Sequence, residues 1–212
     1  MIIINNFIKQ FSATFTNLTG MQPWDITNNL TSTLNDLILQ LDNNFHVQGG
    51  IAIHKTAIIE NGVVLKAPVI IGENCFIAAN AYLRDGAYLA KSVTVGPGCE
   101  IKSSIIFPGS SIAHFNFIGD SIIGHNVNFE AGSMTANHFN ERIDKEISVI
   151  YKSTIIKTKA VKFGSIVGDN SKIGANAVLS PGTLLEMNTI VKRLELIDQT
   201  IKYHDRNLNL NS

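Results

Sequence analysis

The sequence predicts an all-β protein, a parallel β-helix built from hexapeptides, and three observations predict it. From residue 53 to residue 107 an apolar residue returns at every sixth position, and a small or aliphatic residue follows four positions after each of them. Several repeats carry glycine or asparagine at their fourth position, residue types that enter left-handed backbone at little cost. Short strands joined by such turns are typical of hexapeptide β-helices. The first set is Ile53, Ile59, Leu65, Ile71, Ile77, Leu83, Leu89, Val95, Ile101 and Phe107, and the second is Ala57, Val63, Val69, Cys75, Ala81, Ala87, Val93, Cys99, Ile105 and Ser111.

Residues 1–48 lack the six-residue period and are predicted to form an N-terminal helical cap segment. Pro23-Trp24-Asp25 precedes apolar residues at helical spacing, which predicts one amphipathic helix from about 25 to 42 with Asp25 as its N-cap. An open solenoid end exposes apolar side chains and unpaired strand edges. We therefore expect the helix to cover that end.

The repeats predict a β-helix domain over 49–191, interrupted once. The register slips between Phe107 and Ile123, and the repeat is absent from 138 to 163. That insertion is predicted to be a long projecting functional loop, with a strand from Tyr151 to Ile156. Residues 192–212 are predicted to form a short C-terminal helix through Tyr203, followed by a frayed tail from Asn207 to Ser212.

Composition narrows the classes of function. Lys plus Arg equals Asp plus Glu at 17 each, so we expect no broad binding to nucleic acid or to a membrane surface. The chain opens without a signal sequence and has no membrane-spanning stretch, which predicts a soluble cytoplasmic protein. Cys75 and Cys99 occupy inward positions and are expected to be buried thiols. The histidines show no metal-site spacing, and His125 and His54 are expected to point outward.

Three cations recur at the second position of the repeat. Lys66, Arg84 and Lys102 are 18 residues apart, which stacks them if the solenoid is three-sided. Like charges stacked at strand spacing repel, so this column indicates either an anion site or a well-solvated surface. The pattern alone leaves both interpretations open.

Residues 112–137 carry the specific motif. The run His114-Phe115-Asn116-Phe117-Ile118-Gly119-Asp120, followed by Asn126-Val127-Asn128 and Thr135-Ala136-Asn137, resembles the acetyltransferase domain of the bifunctional glucosamine-1-phosphate acetyltransferase and N-acetylglucosamine-1-phosphate uridylyltransferase family. The resemblance extends over about 50–190 and also includes related sugar-1-phosphate nucleotidylyltransferase-like proteins. It implies a left-handed β-helix, a homotrimer, and transfer from acetyl-CoA to an amino sugar phosphate at clefts between subunits.

The resemblance also implies roles for single residues. His114 falls on the family's catalytic base and Asn137 on the asparagine at the acceptor amine. Arg84 and Lys102 fall on the phosphate-binding cations, which favours the anion-site interpretation of the column. The remaining implied contacts are Phe117 and Asn128 to substrate and Ala131 and Ala175 to the CoA donor, with the backbone N–H groups around Ala131 as oxyanion donors.

Three departures from the family pattern are visible. Phe117 stands where a tyrosine is usual, Glu130 replaces a glycine, and His138 follows Asn137 where tyrosine or an aliphatic residue is usual. Two other functions therefore stay open: a non-catalytic sugar-nucleotide-binding or scaffold trimer, and transfer to a hydroxyl as an O-acetyltransferase. No uridylyltransferase activity is expected, because 48 residues before the solenoid are too few for that domain, and no metal is expected for acyl transfer.

Overall fold

A computed structural model describes residues 1–200 and confirms the predicted fold, a left-handed parallel β-helix. The predictions that concern Tyr203 and the polar tail from Asn207 to Ser212 lie outside the described residues. Each coil has three sides, here called faces A, B and C, and strands on one face pair in parallel with the strands above and below. Ile53 pairs with Ile71, which gives the 18-residue coil expected from three hexads.

The strands are short and their bounds follow the hexads. Face A holds Val64–Leu65, Phe117–Gly119, Met134–Thr135, Val178–Leu179 and Leu196–Ile197. Face B holds Ile58–Ile59, Phe76–Ile77, Thr94–Val95, Ser111–Ile112, Asn128–Phe129, Lys172–Ile173 and Ile190–Val191. Face C holds Ile51–His54, Val69–Ile71, Ile122–Ile123, Ser165–Val167 and Thr183–Leu185, and the longer strands Tyr82–Leu89 and Glu100–Ile106 turn the corner from face A to face C.

The inward positions build a continuous apolar core. Cys75 and Cys99 are free thiols buried in that core, as predicted. The corners use left-handed backbone, with Asn74 at φ 55° and Asn170 at φ 60°. Asparagine tolerates this conformation better than other residues with a side chain, so the fourth-position pattern is explained by the corners.

The register slips earlier than the sequence indicates, at Ser103. Residues Asp85 and Gly86 stand between the paired positions Arg84 and Ala87, whereas Ser103 alone connects Lys102 to Ser104 and adopts φ 45°. The shorter corner moves the residues that follow it by one position, and a second one-residue corner follows at Asp120. The inward assignment of Ile105, Phe107 and Ser111 is therefore wrong: Ser104, Ile106 and Ser110 take the inward side, while Ile105 and Phe107 pack outward against the cap.

The N-terminal cap contains two principal helices where one was predicted. They are Pro23–Asn28 and Leu30–Ile38, divided at Asn29, whose φ of −102° and ψ of 9° leave the helical range. Proline fixes the first turn, so Asp25 lies within that turn and Gln22 is the N-cap. The shorter helical pieces are Ile4–Asn6, Phe11–Thr14 and Thr16–Leu18.

The cap covers a side of the solenoid, which corrects the expectation that it covers the open end. Its Trp24, Ile26 and Leu30 join a second apolar core with Ile70 and Ile122 on the outer surface of face C. The exposed edge of the first coil is covered separately, by the antiparallel strand Phe45–Gln48 paired to Ile51–His54.

The insertion 138–163 leaves the corner between faces A and C. Paired residues Ile123 and Val167 are 44 apart in the sequence, and this segment accounts for the excess over one coil. It contains an antiparallel hairpin, Ser148–Tyr151 with Thr154–Lys157. The predicted single strand from Tyr151 to Ile156 is wrong, because Lys152 and Ser153 form the turn with φ values of 49° and 58°.

The solenoid continues past residue 191. Leu196–Ile197 pairs with Val178–Leu179, and Leu194 occupies a left-handed corner at φ 59°. The helix predicted from 192 is therefore wrong over 192–197, and helical residues begin at 199. Across residues 1–200 the chain has no helix with the length and apolar character needed to cross a membrane.

Candidate functional site

The predicted site residues lie at two corners of the coil and on faces A and B. His114, Ala131 and Ala175 stand where the chain passes from face B to face A, here the B-to-A corner. Arg84, Lys102 and Asn137 stand where it passes from face A to face C, the A-to-C corner. Phe117 lies on face A and Asn128 on face B.

His114 is held by its backbone alone. Its carbonyl oxygen accepts the Gly132 N–H at 2.8 Å, and its exposed ring makes no hydrogen bond to any residue from 1 to 200. The next residue, Phe115, has φ 52°, and its ring lies over Gly98, where an added Cβ would come within 2.7 Å of the ring. Glycine at 98 therefore makes room for Phe115, and the corner presents the His114 ring to solvent.

Asn137 belongs to a buried polar network. Its Nδ2 donates to Asp120 Oδ2, and the same carboxylate accepts Lys102 Nζ at 2.9 and 3.2 Å. The side chains of Lys102 and Asp120 are 10% and 4% exposed. Asn137 Oδ1 faces His138, whose Nδ1 is 3.2 Å away. The backbone carbonyl of Asn137 also accepts the Phe163 N–H at 2.9 Å, which ties both ends of the insertion together.

Phe117 lies beside this network. An added Cβ on Gly119 would lie 2.6 Å from the Phe117 ring and 3.0 Å from Asn137 Nδ2. The missing side chain at 119 thus lets the ring and the amide approach each other. Phe117 and Asn137 therefore lie close together. The His114 ring makes no hydrogen bond to Asn137.

The stacked cations are neutralised inside the chain. Arg84 and Lys102 are neighbours in register, as predicted, but Arg84 pairs with Glu100 at 2.7 Å and with Asp85 at 2.6 Å. Burial opposes the charge of Arg84, but the hydrogen bond to Glu100 and the charges of both carboxylates prevail and raise its pKa. Lys66 is exposed. Carboxylates therefore balance the repulsion that the sequence left unexplained.

The sequence reading missed these carboxylates, above all Asp120. The signal was available: Asp120 stands 18 residues after Lys102, close to the coil repeat, so stacking predicts a contact. His125 was also placed incorrectly. Its ring contacts Phe107 and lies 3.2 Å from Asp169 in place of facing solvent.

A carboxylate clip occupies the B-to-A corner. Glu130 accepts the Ala175 N–H at 2.9 Å and receives Arg193 through two hydrogen bonds of 2.8 Å each. The hydrogen bond from Arg193, with that from Ala175, holds the pKa of Glu130 below its ordinary value. The N–H group of Ala175, a predicted CoA contact, is thus already hydrogen-bonded to Glu130. The Ala131 N–H, in contrast, has no hydrogen-bond partner within residues 1–200.

A groove runs beside this clip on face B. Its volume is about 680 Å³, and its wall carries three cations, Lys172, Lys192 and Arg193, together with Asn128 and Glu130. Glu130 balances the charge of Arg193, so the charges of Lys172 and Lys192 remain. These two cations favour an anionic ligand in the groove. In the described part of the chain, no three His, Cys, Asp or Glu residues come together in a way that could hold a metal ion.

Comparisons with known proteins agree with the fold. The family model for bacterial transferase hexapeptides matches residues 50–85, and the model for the hexapeptide repeat of succinyl-transferase matches residues 68–103 and 164–192. The protein "Bifunctional protein GlmU" of Methanococcus vannielii is 34% identical over 188 residues, which are 85% of this chain and 44% of that protein.

A second relative gives a similar picture. The "Bifunctional sugar-1-phosphate nucleotidylyltransferase/acetyltransferase" of Sulfurisphaera tokodaii is 33% identical over 167 residues, 76% of this chain and 41% of that protein. The chain thus spans less than half the length of these relatives. A solved hexapeptide transferase family protein from Anaplasma phagocytophilum aligns at 18% identity over 76% of this chain and 90% of its own, with a TM-score of 0.27.

Proposed function

The chain carries hexapeptide repeats that two family models match over 50–103 and 164–192, and on that premise we propose that it is a CoA-dependent N-acyltransferase that acetylates an amino sugar phosphate or a nucleotide-sugar precursor, as in UDP-N-acetylglucosamine biosynthesis. The observation that carries the proposal is the similarity at 33–34% identity to two bifunctional proteins, one of which has acetyltransferase in its name. That similarity extends over 76–85% of this chain.

The proposed chemistry assigns His114 as the general base. The acceptor nitrogen attacks the thioester carbonyl of acetyl-CoA and gives its proton to the His114 ring, which no other described residue engages. The carbon–sulfur bond then breaks, and the CoA thiolate leaves and is protonated. The oxyanion that forms needs a donor already in place, and the unpaired Ala131 N–H is the proposed one.

Asn137 is proposed to hold the acceptor amine. Its Nδ2 is committed to Asp120, so its Oδ1 is the atom that can accept a hydrogen bond from an amine. Phe117 offers an apolar surface beside it and no hydroxyl. Arg84 and Lys102 remain proposed phosphate ligands, Arg84 being the more accessible of the two with its side chain 29% exposed.

Assembly into a homotrimer is part of the proposal, and two features support it. Phe117 and Asn128 lie on different faces of the prism, so one pocket can contain both only if two copies contribute to it. The outer side of face A also carries an apolar row, Phe117, Met134, Val178 and Leu196, of which Met134 and Leu196 are exposed. Such a row on a monomer's surface marks an interaction site.

The Glu130 clip favours one alternative, a sugar-nucleotide-binding or scaffold trimer without catalysis. The clip occupies the Ala175 N–H and places a carboxylate where an anionic CoA would approach. Isothermal titration separates the two functions. Saturable binding of acetyl-CoA supports the enzyme, whereas binding of UDP-N-acetylglucosamine without acetyl-CoA binding supports the scaffold. Mass spectrometry of the product distinguishes an amide from an ester and so tests transfer to a hydroxyl.

A further inference from the structure

Asp120 fixes which way the Asn137 amide faces. A carboxylate can only accept hydrogen bonds, so the atom of Asn137 that faces it is the NH2 group, and the amide oxygen points the other way. Lys102 Nζ donates to both oxygens of this carboxylate from a site with almost no access to water, so both oxygens act as acceptors. The geometry thereby removes the ambiguity that usually attends an amide side chain.

The orientation of Asn137 in turn fixes the tautomer of His138. The amide oxygen, an acceptor only, lies 3.2 Å from His138 Nδ1, so this nitrogen must carry the proton. In the neutral ring the other nitrogen, Nε2, then holds a free lone pair. His138 is exposed, and no residue from 1 to 200 donates to its Nε2.

The chain therefore contains a relay of four groups, Lys102, Asp120, Asn137 and His138, that ends at a solvent-facing hydrogen-bond acceptor. We propose that His138 is a substrate-contacting, specificity-determining residue of this site, and that its Nε2 accepts a hydrogen bond from a hydroxyl or N–H group of the acceptor. Asp120 is the positioning residue that acts on it through Asn137. The inference rests on the proposed acyl transfer and deepens it, because it assigns a second imidazole to the acceptor side.

Several features favour this assignment over an incidental surface histidine. The network that orients His138 begins with a buried charge pair, which costs free energy to desolvate. The backbone around it is also fixed: Asp120 has φ 46°, its carbonyl accepts the Gly164 N–H at 2.9 Å, and Asn137 binds Phe163. His138 thus stands at the point where the insertion is tied to the solenoid.

The first test is spectroscopic and needs no substrate. Nitrogen-15 NMR of the imidazole side chains reports which ring nitrogen is protonated, and we expect the neutral ring of His138 to be the Nδ1–H tautomer. In Asn137→Ala, which leaves the Lys102–Asp120 pair intact, we expect the Nε2–H form to appear. A wild-type His138 that is mainly the Nε2–H tautomer would overturn the relay.

The second test uses a matched pair of variants. Glutamine can place an oxygen near the position of Nε2, whereas the shorter asparagine places its polar atoms near Nδ1. With glucosamine 1-phosphate as the probe acceptor, His138→Asn should raise the acceptor KM about tenfold or more, the loss of roughly one hydrogen bond. His138→Gln should stay within a few-fold of wild type, and kcat should change less than KM in both.

The outcomes separate the two proposals. Equal KM values for wild type, His138→Asn and His138→Gln, in a protein that turns over the probe, overturn the substrate contact and leave acyl transfer standing. A wild type that turns over no amino sugar phosphate contradicts the proposed function and, with it, the contact between His138 and the acceptor. In that case the NMR measurement of the His138 tautomer alone tests the relay. A thermal unfolding curve for each variant ensures that the comparison is made between folded proteins.

Discussion

Lys102 and Asp120 form a charge pair that is almost entirely removed from water, and this sets the energetics at the residue scale. Removing one member of a buried pair leaves the other charge unpaired in a poorly hydrated site, which costs about 3–5 kcal/mol. The pair of the half-buried Arg84 and the exposed Asp85 illustrates the opposite case, because water screens such a pair and little stability depends on it.

We expect Lys102→Ala to lower the free energy of unfolding by about 3–5 kcal/mol. Arg84→Ala, the control at the neighbouring position in register, should change it by about 1 kcal/mol or less. Urea denaturation of both variants measures the difference. Equal losses would show that Lys102 is not the buried counter-ion that the structure indicates.

Cys75 carries a second residue-scale prediction, on pH. Burial raises the pKa of its thiol from 9.0 to about 11. Above pH 9 the unfolded chain therefore loses a proton that the folded chain keeps, so stability falls as pH rises from about 9 to 11. Below pH 9 this contribution is fully present. The loss that comes from Cys75 amounts to about 2–3 kcal/mol by pH 11.

Urea denaturation at a series of pH values from 8 to 10.5 measures this effect. Other groups titrate in the same range, so the informative quantity is the difference in pH slope between wild type and Cys75→Ala. We expect wild type to lose stability more steeply. Parallel curves for the two proteins would contradict a buried thiol with a raised pKa.

At the scale of the element, the B-to-A corners repeat one device. Glu130 caps the Ala175 N–H at 2.9 Å, and Glu60 caps the Ala79 N–H at 2.7 Å on an earlier coil. The two contacts differ in that Arg193 also binds Glu130. Because the Glu130 corner is the proposed CoA position, the clip should compete with the donor, whereas the Glu60 corner should not.

Glu130→Ala should therefore tighten binding of acetyl-CoA about threefold to tenfold, since it removes a negative charge and frees the Ala175 N–H. Glu60→Ala is the matched control and should leave the affinity unchanged. Isothermal titration gives both values. Unchanged or weaker binding to Glu130→Ala would place the CoA donor away from this corner.

The elements also show what the sequence could predict. The hexads named the inward residues up to Ile101, because each side of the coil must present the same two positions to the core. The slip at Ser103 could not be located from the sequence, since dropping one residue at a corner leaves apolar residues on both possible registers, Ile105 and Ile106. The division of the cap helix at Asn29 was hidden for a similar reason, because apolar spacing continues across it.

The candidate site was only partly predictable. A motif identifies residue types at fixed spacing, so His114, Phe117 and Asn137 could be named from the chain alone. The contact of Lys102 with Asp120 depends on which residues stack across coils, and the one-residue corner at Ser103 shortens that coil, so the spacing of the two residues indicates the contact only approximately. The orientation of His138 depends on two contacts across coils, from Lys102 to Asp120 and from Asp120 to Asn137. No pattern of neighbouring residues in the sequence indicates it.

At the scale of the whole molecule, the cap covers face C while the apolar row on face A stays open. We expect light scattering to give three times the chain mass of 23.1 kDa. Met134→Asp, which places a charge in the row, should reduce the assembly to monomers, because a charge buried at an interface without a partner is costly. Ile143→Asp, at a fully exposed position in the insertion, is the control and should remain a trimer. A monomeric wild type would contradict the trimer and the shared site together.

The proposed reaction transfers an acetyl group from CoA to an amino sugar phosphate. Its most direct test is the release of the CoA thiol from acetyl-CoA with and without glucosamine 1-phosphate, for wild type beside His114→Ala. We expect release that depends on the acceptor and a turnover about two to four orders of magnitude lower in the variant, as for loss of a general base. Thiol release that does not depend on the acceptor, or equal rates in the two proteins, would contradict the proposed acetyl transfer.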